Sequence, residues 1–178
     1  MELIPIVPLG TEYTLSDFEC HTAIDAAHRR REVNIEAEMD MEPVDTNRHR
    51  NEVELDGVSA EIAFCHLFNV YADLVGEARR SEFDEGDCRL GPYRVDVKGR
   101  PEYGDNWLLV SKWKAKDRLY ALMTGAHPTW TFRGFMLGKD LFARSPVEVS
   151  KGKPAMYKAS QSELYPWSVV VLEDVDDE

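Results

Sequence analysis

Asp87–Lys98 reads DCRLGPYRVDVK, and the fold turns on whether Gly91-Pro92 closes a hairpin and which side chains then share a face. A Gly-Pro pair between two runs rich in branched and aromatic residues marks a turn. In Tyr93–Lys98 the apolar Tyr93, Val95 and Val97 alternate with Arg94, Asp96 and Lys98. In a strand, Asp96 and Lys98 therefore point the same way, opposite to the valines. With Gly91-Pro92 as the loop, Leu90 falls opposite Tyr93 and Asp87 opposite Asp96, and an odd loop or a bulge would break that register. Directly opposed residues have Cβ atoms about 4.5–5.5 Å apart, so two carboxylates would be forced together. Such a pair is destabilising unless a cation lies between, and Mg²⁺, which takes a few carboxylates and keeps several waters, suits the place. The competing reading is two acids on an exposed hairpin tip with a relaxed register.

Around this hairpin the chain reads as helices followed by strands. Ser16-Asp17-Phe18-Glu19 has the capping-box pattern, and residues 14–42 form one helix or two, stopped by Pro43. The run His28–Arg31 reads as a solvated helix face. A second helix is expected to begin between Asp56 and Ser59 and to continue through VSAEIAFCHLFNVYADLV. Strands follow in CRL, YRVDVK, WLLVSKW, RLYALMTG and TWTFRGFML, then a short helix at Lys139–Ala143 and one more turn and an edge strand in SELYPWSVVVL. The order predicts an α/β or α+β sandwich with a mixed or mostly antiparallel sheet. One domain accounts for the whole length: an N-terminal helical region 1–49, a core 50–142, a C-terminal extension 143–172 and an acidic tail 173–178.

The second helix contributes a third acid. From Gly57 to Ala72 the only acid or strong base is Glu61, between Ala60 and Ile62 in the most apolar helix. A charge there is costly unless paired or coordinated, and an arginine partner is the plain alternative to a metal.

Composition sets the outer limits. The net charge of −12 argues against a nucleic-acid partner, but the acid is concentrated in residues 32–46 and 173–178. With the 11 acids of those segments set aside, 22 acids face 21 bases, and Lys112, Lys114, Lys116 and Arg118 form a local basic cluster. Cys20, Cys65 and Cys88 show no paired spacing, which implies a reducing, cytoplasmic setting and, for Cys88, a buried structural thiol. No run is long enough to span a membrane, and the N-terminus lacks the features of a signal peptide. Gly57–Glu61 falls short of a nucleophile elbow because Glu61 occupies its last position, so Ser59 reads as a polar residue near a helix N-terminus. The histidines show no ligand spacing. Trp107 or Trp113 is a candidate for base stacking.

Taken in order, Glu61 in GVSAE, Asp87 in GDCRLG and Asp96-Val97-Lys98 in YRVDVKG resemble the PD-(D/E)XK nuclease family, which has the restriction-endonuclease-like fold. The resemblance covers roughly residues 50–142 and implies a mixed central sheet flanked by helices, with the N-terminal helices as an embellishment. It departs from the family pattern in having Gly86 where a proline precedes the first acid, which leaves Asp84 as a competitor to Asp87. The resemblance implies hydrolysis of a DNA phosphodiester by a metal-activated water, in a protein of prokaryotic or phage type. Asp87, Asp96 and the carbonyl of Val97 would ligate Mg²⁺ or Mn²⁺. Glu61 would hold a water or a second ion, and Lys98 would orient the attacking water or stabilise transition-state charge. Lys112, Arg100 and Lys114 become candidates for phosphate contact. Two alternatives stay open: a non-catalytic module of the same fold binding nucleic acid or a protein partner, and a structure-specific Holliday junction resolvase acting as a homodimer. The acidic segments would screen nonspecific DNA or engage a basic partner protein.

Overall fold

The computed structural model describes residues 4–36, 50–74, 86–102, 106–112, 114–149 and 154–168. The acidic tail, most of the acidic run at 32–46, Asp84 and Trp113 lie outside the described residues.

Strand β1 (Glu12–Thr14) leads into helix α1 (Asp17–Glu36). The helix starts where the capping box places it: the Ser16 amide donates to Glu19 Oε2 at 2.8 Å and the Glu19 amide to Ser16 Oγ at 3.4 Å. Helix α2 (Arg50–Phe68) begins earlier than the sequence reading expects, because Arg50–Leu55 contains no residue that breaks a helix and Gly57 is carried inside it. Ser59 is therefore not at a helix start. It is buried in mid-helix, where its hydroxyl accepts a 2.6 Å hydrogen bond from the indole of Trp130.

Strands β2 (Cys88–Leu90), β3 (Tyr93–Arg100), β4 (Trp107–Ser111), β5 (Leu119–Ala126) and β6 (Thr129–Leu137) follow, then helix α3 (Gly138–Phe142) and strand β7 (Met156–Ser160). The central sheet has the order β1-β6-β5-β3-β2. β3 and β5 are parallel and the other neighbours antiparallel, so the sheet is mixed. β4 leaves it and pairs with β7 in a separate two-stranded ribbon.

Alternation along β3 and β5 gives the sheet two different faces. Val95, Val97, Leu119, Ala121 and Met123 pack under α1 and α2. Tyr120 and Leu122 pack instead with Leu108 and Val110 of β4 and with Leu141 and Phe142 of α3. The architecture is thus α+β in layers, but only one face lies under long helices; the ribbon and the five-residue α3 cover the other. The N-terminal region is not purely helical, since β1 forms an edge of the central sheet. Gly99 sets how closely the layers approach: a Cβ there would lie 2.8 Å from the Ala60 side chain and 3.2 Å from the Asp56 carbonyl. Among the described residues, no helix is long and apolar enough to cross a membrane.

Candidate active site

The β2–β3 hairpin has the register counted through Gly91-Pro92: Leu90 opposite Tyr93, Arg89 opposite Arg94 and Cys88 opposite Val95. The ladder stops there, one pair short of Asp87 and Asp96. Gly86 has a φ of +88°, and the Asp87 amide, 2.8 Å away, donates to the carbonyl of Val95, the residue that Cys88 already faces. Two residues of one strand thus address one residue of the other, as in a bulge. The Asp87 side chain takes over where the ladder ends. Backbone groups two residues apart on a strand point to the same edge, so the Val97 N–H follows the Val95 carbonyl, and it donates to Asp87 Oδ2 at 2.7 Å. Asp87 is thereby tied to the peptide between Asp96 and the rest of the D-x-K element.

Asp96 sits on the other side of β3 and is 1 % exposed. Lys98 forms an ion pair with its Oδ1. Lys114 Nζ lies 3.1 Å and Arg118 NH1 3.7 Å from its Oδ2. Burial alone would raise the Asp96 pKa, but Lys98 and Lys114 outweigh it and hold the carboxyl down at about 2. Of the candidate phosphate contacts, Lys114 thus reaches Asp96, Lys112 is exposed just past β4, and Arg100 stands further along β3.

Glu61 is buried on α2 and has an arginine for a partner. Arg30 of α1 donates to its Oε1 at 2.7 Å and its Oε2 at 2.5 Å, and also to the Asp73 carbonyl at 3.2 Å. Burial would lower the Arg30 pKa, yet Glu61, with Asp87 and Glu54 beyond, raises it above the ordinary arginine value. The sequence reading of His28–Arg31 as a solvated face misses this residue. The signal was present: Ala23, Ala26 and Ala27 are buried, and Arg30 continues their spacing as i, i+3, i+4 and i+7, which places it on the inward stripe.

Asp87 has no ion pair among the described residues, and only one of its oxygens is engaged, by Val97. Burial, then the charges of Glu61 and Asp96, push its pKa up to about 8, against the weaker pull of Lys98 and the Val97 N–H. Asp87 therefore feels Glu61, Asp96 and Lys98 together. Among the described residues, no group of three or more His, Cys, Asp or Glu side chains is arranged to hold a metal ion. Cys65 and Cys88 are buried together, and the hydrogen bond that the Cys88 thiol donates to Cys65, ahead of burial, raises the Cys88 thiol far above the ordinary range, as befits a structural thiol. The ring of Trp107 is covered by the Lys158 ammonium at 3.3 Å, which occupies a face that base stacking would need.

Residues 5–128 match the model of a family described as a family of unknown function, DUF5843. No curated protein and no solved structure matches the chain.

Proposed function

We propose that this chain, which belongs to the DUF5843 family of unknown function, is a metal-dependent nuclease that hydrolyses DNA phosphodiester bonds with a restriction-endonuclease-like core. The observation that carries the reading is the state of Asp87: a carboxyl beside two other acids, with one oxygen open and, among the described residues, no cation in ion-pair contact, the pull of Lys98 being too weak to offset burial and the neighbouring acids. A divalent cation would relieve that crowding: Asp87 offers its open oxygen to Mg²⁺ or Mn²⁺, and Asp96 and the carbonyl of Val97 would join it once the ion displaces Lys98 or Lys114, both about a quarter exposed, from the Asp96 oxygens. Glu61 does not fit as a ligand while both its oxygens are on Arg30; its part is to set the charge felt by Asp87. The α2, β2–β3 hairpin and parallel β5 order supports the core assignment.

When bound, the ion lowers the pKa of a water and polarises a phosphate oxygen. The chain's own residues orient the rest. Lys98, a compact cation beside Asp96, offsets charge developing on the phosphate oxygens. Lys98 and Lys114 keep Asp96 ionised, and Arg118 stands 3.7 Å from its Oδ2. The Val97 N–H holds Asp87 at the same strand.

Incubation of the purified protein with single-stranded, duplex and branched DNA, in Mg²⁺, Mn²⁺ or EDTA, tests the proposal. Metal-dependent cleavage that Asp87→Asn and Asp96→Asn each abolish is expected, and preference for the branched substrate would specify a junction resolvase. Absence of cleavage on all three, or cleavage unchanged in both variants, removes the assignment.

A second reading is favoured by the ion pairs. Glu61 and Asp96 already have cationic partners, as in a nucleic-acid-binding module of the same fold that has no catalytic ion. Calorimetric titration with Mn²⁺ separates the two: heat that Asp87→Asn removes supports the nuclease, and no heat in the wild type supports the binding module.

A further inference from the structure

The ion-pair network around Asp96 leaves a second cationic group on β3 unused. Arg100 lies two residues beyond Lys98, about 7 Å along the same face. Gly99 between them faces Ala60 and Trp130 on the other side. On the parallel neighbour β5, Arg100 has Thr124 as its register partner, so the two side chains stand side by side. The buried Thr124 hydroxyl accepts a 2.7 Å hydrogen bond from Arg133 Nε. Arg133 is the extra residue where the β5–β6 register shifts, between the Leu122–Gly134 and Met123–Phe132 pairs. Two arginines therefore neighbour one threonine, Arg133 by a hydrogen bond and Arg100 by its place in the register.

Their counter-charges are unequal. Arg133 forms an ion pair with Glu102, whose side chain is 59 % exposed. Arg100 is partly buried, yet among the described residues it has no hydrogen bond and no ion pair. Burial alone lowers its pKa. A guanidinium drawn out of water without a partner is costly, and such groups are held where a ligand completes them.

We propose that Arg100, Arg133 and Thr124 form an oxyanion subsite that takes a phosphate group of a nucleic-acid strand, separate from the Asp87 and Asp96 carboxylates. The planar forks suit phosphate oxygens, and the Thr124 hydroxyl, buried beneath them, holds the Arg133 guanidinium in place. Glu102 competes with the ligand for Arg133. The phosphate chemistry stands on these residues alone; that it belongs to a nucleic acid rests on the nuclease reading.

The test measures binding without cleavage. The full chain in EDTA is titrated with a fluorescein-labelled single-stranded oligonucleotide, followed by anisotropy, and with inorganic phosphate, followed by amide chemical shifts. Arg100→Gln is expected to weaken both by about tenfold, the loss of one hydrogen bond to a charged group. Glu102→Gln, at an exposed position that folding tolerates, is expected to tighten both severalfold. Equal binding of both probes by wild type, Arg100→Gln and Glu102→Gln overturns the subsite. Loss of phosphate binding in Arg100→Gln with oligonucleotide binding unchanged overturns the nucleic-acid assignment. Because EDTA excludes metal-dependent hydrolysis, a protein with no nuclease activity still gives the expected result if the subsite is real. Should Arg100→Gln fail to fold, Glu102→Gln decides: no tightening overturns the proposal.

Discussion

Arg30 and Glu61 are joined by two hydrogen bonds, at 2.7 and 2.5 Å, that fasten helix α1 to helix α2. Both side chains are largely buried, at 12 % and 6 % exposure. Removing one partner of such a pair leaves the other charge stranded, at a cost of about 3–5 kcal/mol, whereas replacing both with apolar groups is often neutral. Arg30→Leu is therefore expected to be strongly destabilised in urea unfolding, with Arg30→Leu/Glu61→Leu recovering most of the loss. A double variant as unstable as the single one would show that the pair does more than balance charge.

Asp87 carries a pH dependence opposite to that of most carboxylates. Its pKa in the folded protein, about 8, lies above the ordinary value of an unfolded chain, near 3.9. Between those limits the folded state holds a proton that the unfolded state has lost, so its contribution to stability falls as pH rises from about 4 to 8. Asp87→Asn keeps an acceptor for the Val97 N–H and removes the charge. The variant is expected to match the wild type near pH 4 and to exceed it by more than about 1 kcal/mol at pH 9. Urea midpoints at the two pH values check this, and a variant less stable at pH 9 would contradict it.

Asp96 gives the ordinary sign. Its folded pKa of about 2 lies below the unfolded value, so its stabilisation is complete above about pH 4 and is lost as pH falls toward 2. At neutral pH, Asp96→Asn leaves Lys98, Lys114 and Arg118 facing one another. Lys98 and Lys114 are about a quarter exposed and can turn to solvent, so the expected loss is about 2–4 kcal/mol rather than the full cost of a buried charge. The difference between variant and wild type should shrink below pH 3.

The hairpin and the mixed sheet were legible because a Gly-Pro turn and strict two-residue alternation fix a register by local rules. Those rules end at Asp87. Whether a strand carries on for one more pair depends on Gly86 and its positive φ, which alternation does not encode. β1 and β7 escaped because EYT is three residues long and MYKAS has almost no apolar alternation; each is a strand by virtue of its neighbour in the sheet. Arg30 escaped for a different reason: its flanking arginines made the segment read as polar, although its helical spacing from Ala23, Ala26 and Ala27 marks the buried stripe.

Gly86 holds the geometry on which the acid cluster depends. A Cβ at this position would lie 2.7 Å from the Val95 carbonyl oxygen, on a backbone already at φ +88°. That carbonyl is the one that accepts from the Asp87 amide, so relief of the clash must move Asp87 away from Val95 and strain its bond to the Val97 N–H. Gly86→Ala is expected to cost about 1–3 kcal/mol and to bring the Asp87 pKa down from about 8, since displacement takes the carboxyl out of its buried position near Glu61 and Asp96. Carboxyl carbon NMR titration of Asp87 reads the shift directly. A destabilised variant whose Asp87 still titrates near 8 would mean that the turn at Gly86 stabilises the hairpin without setting the charge state of the site.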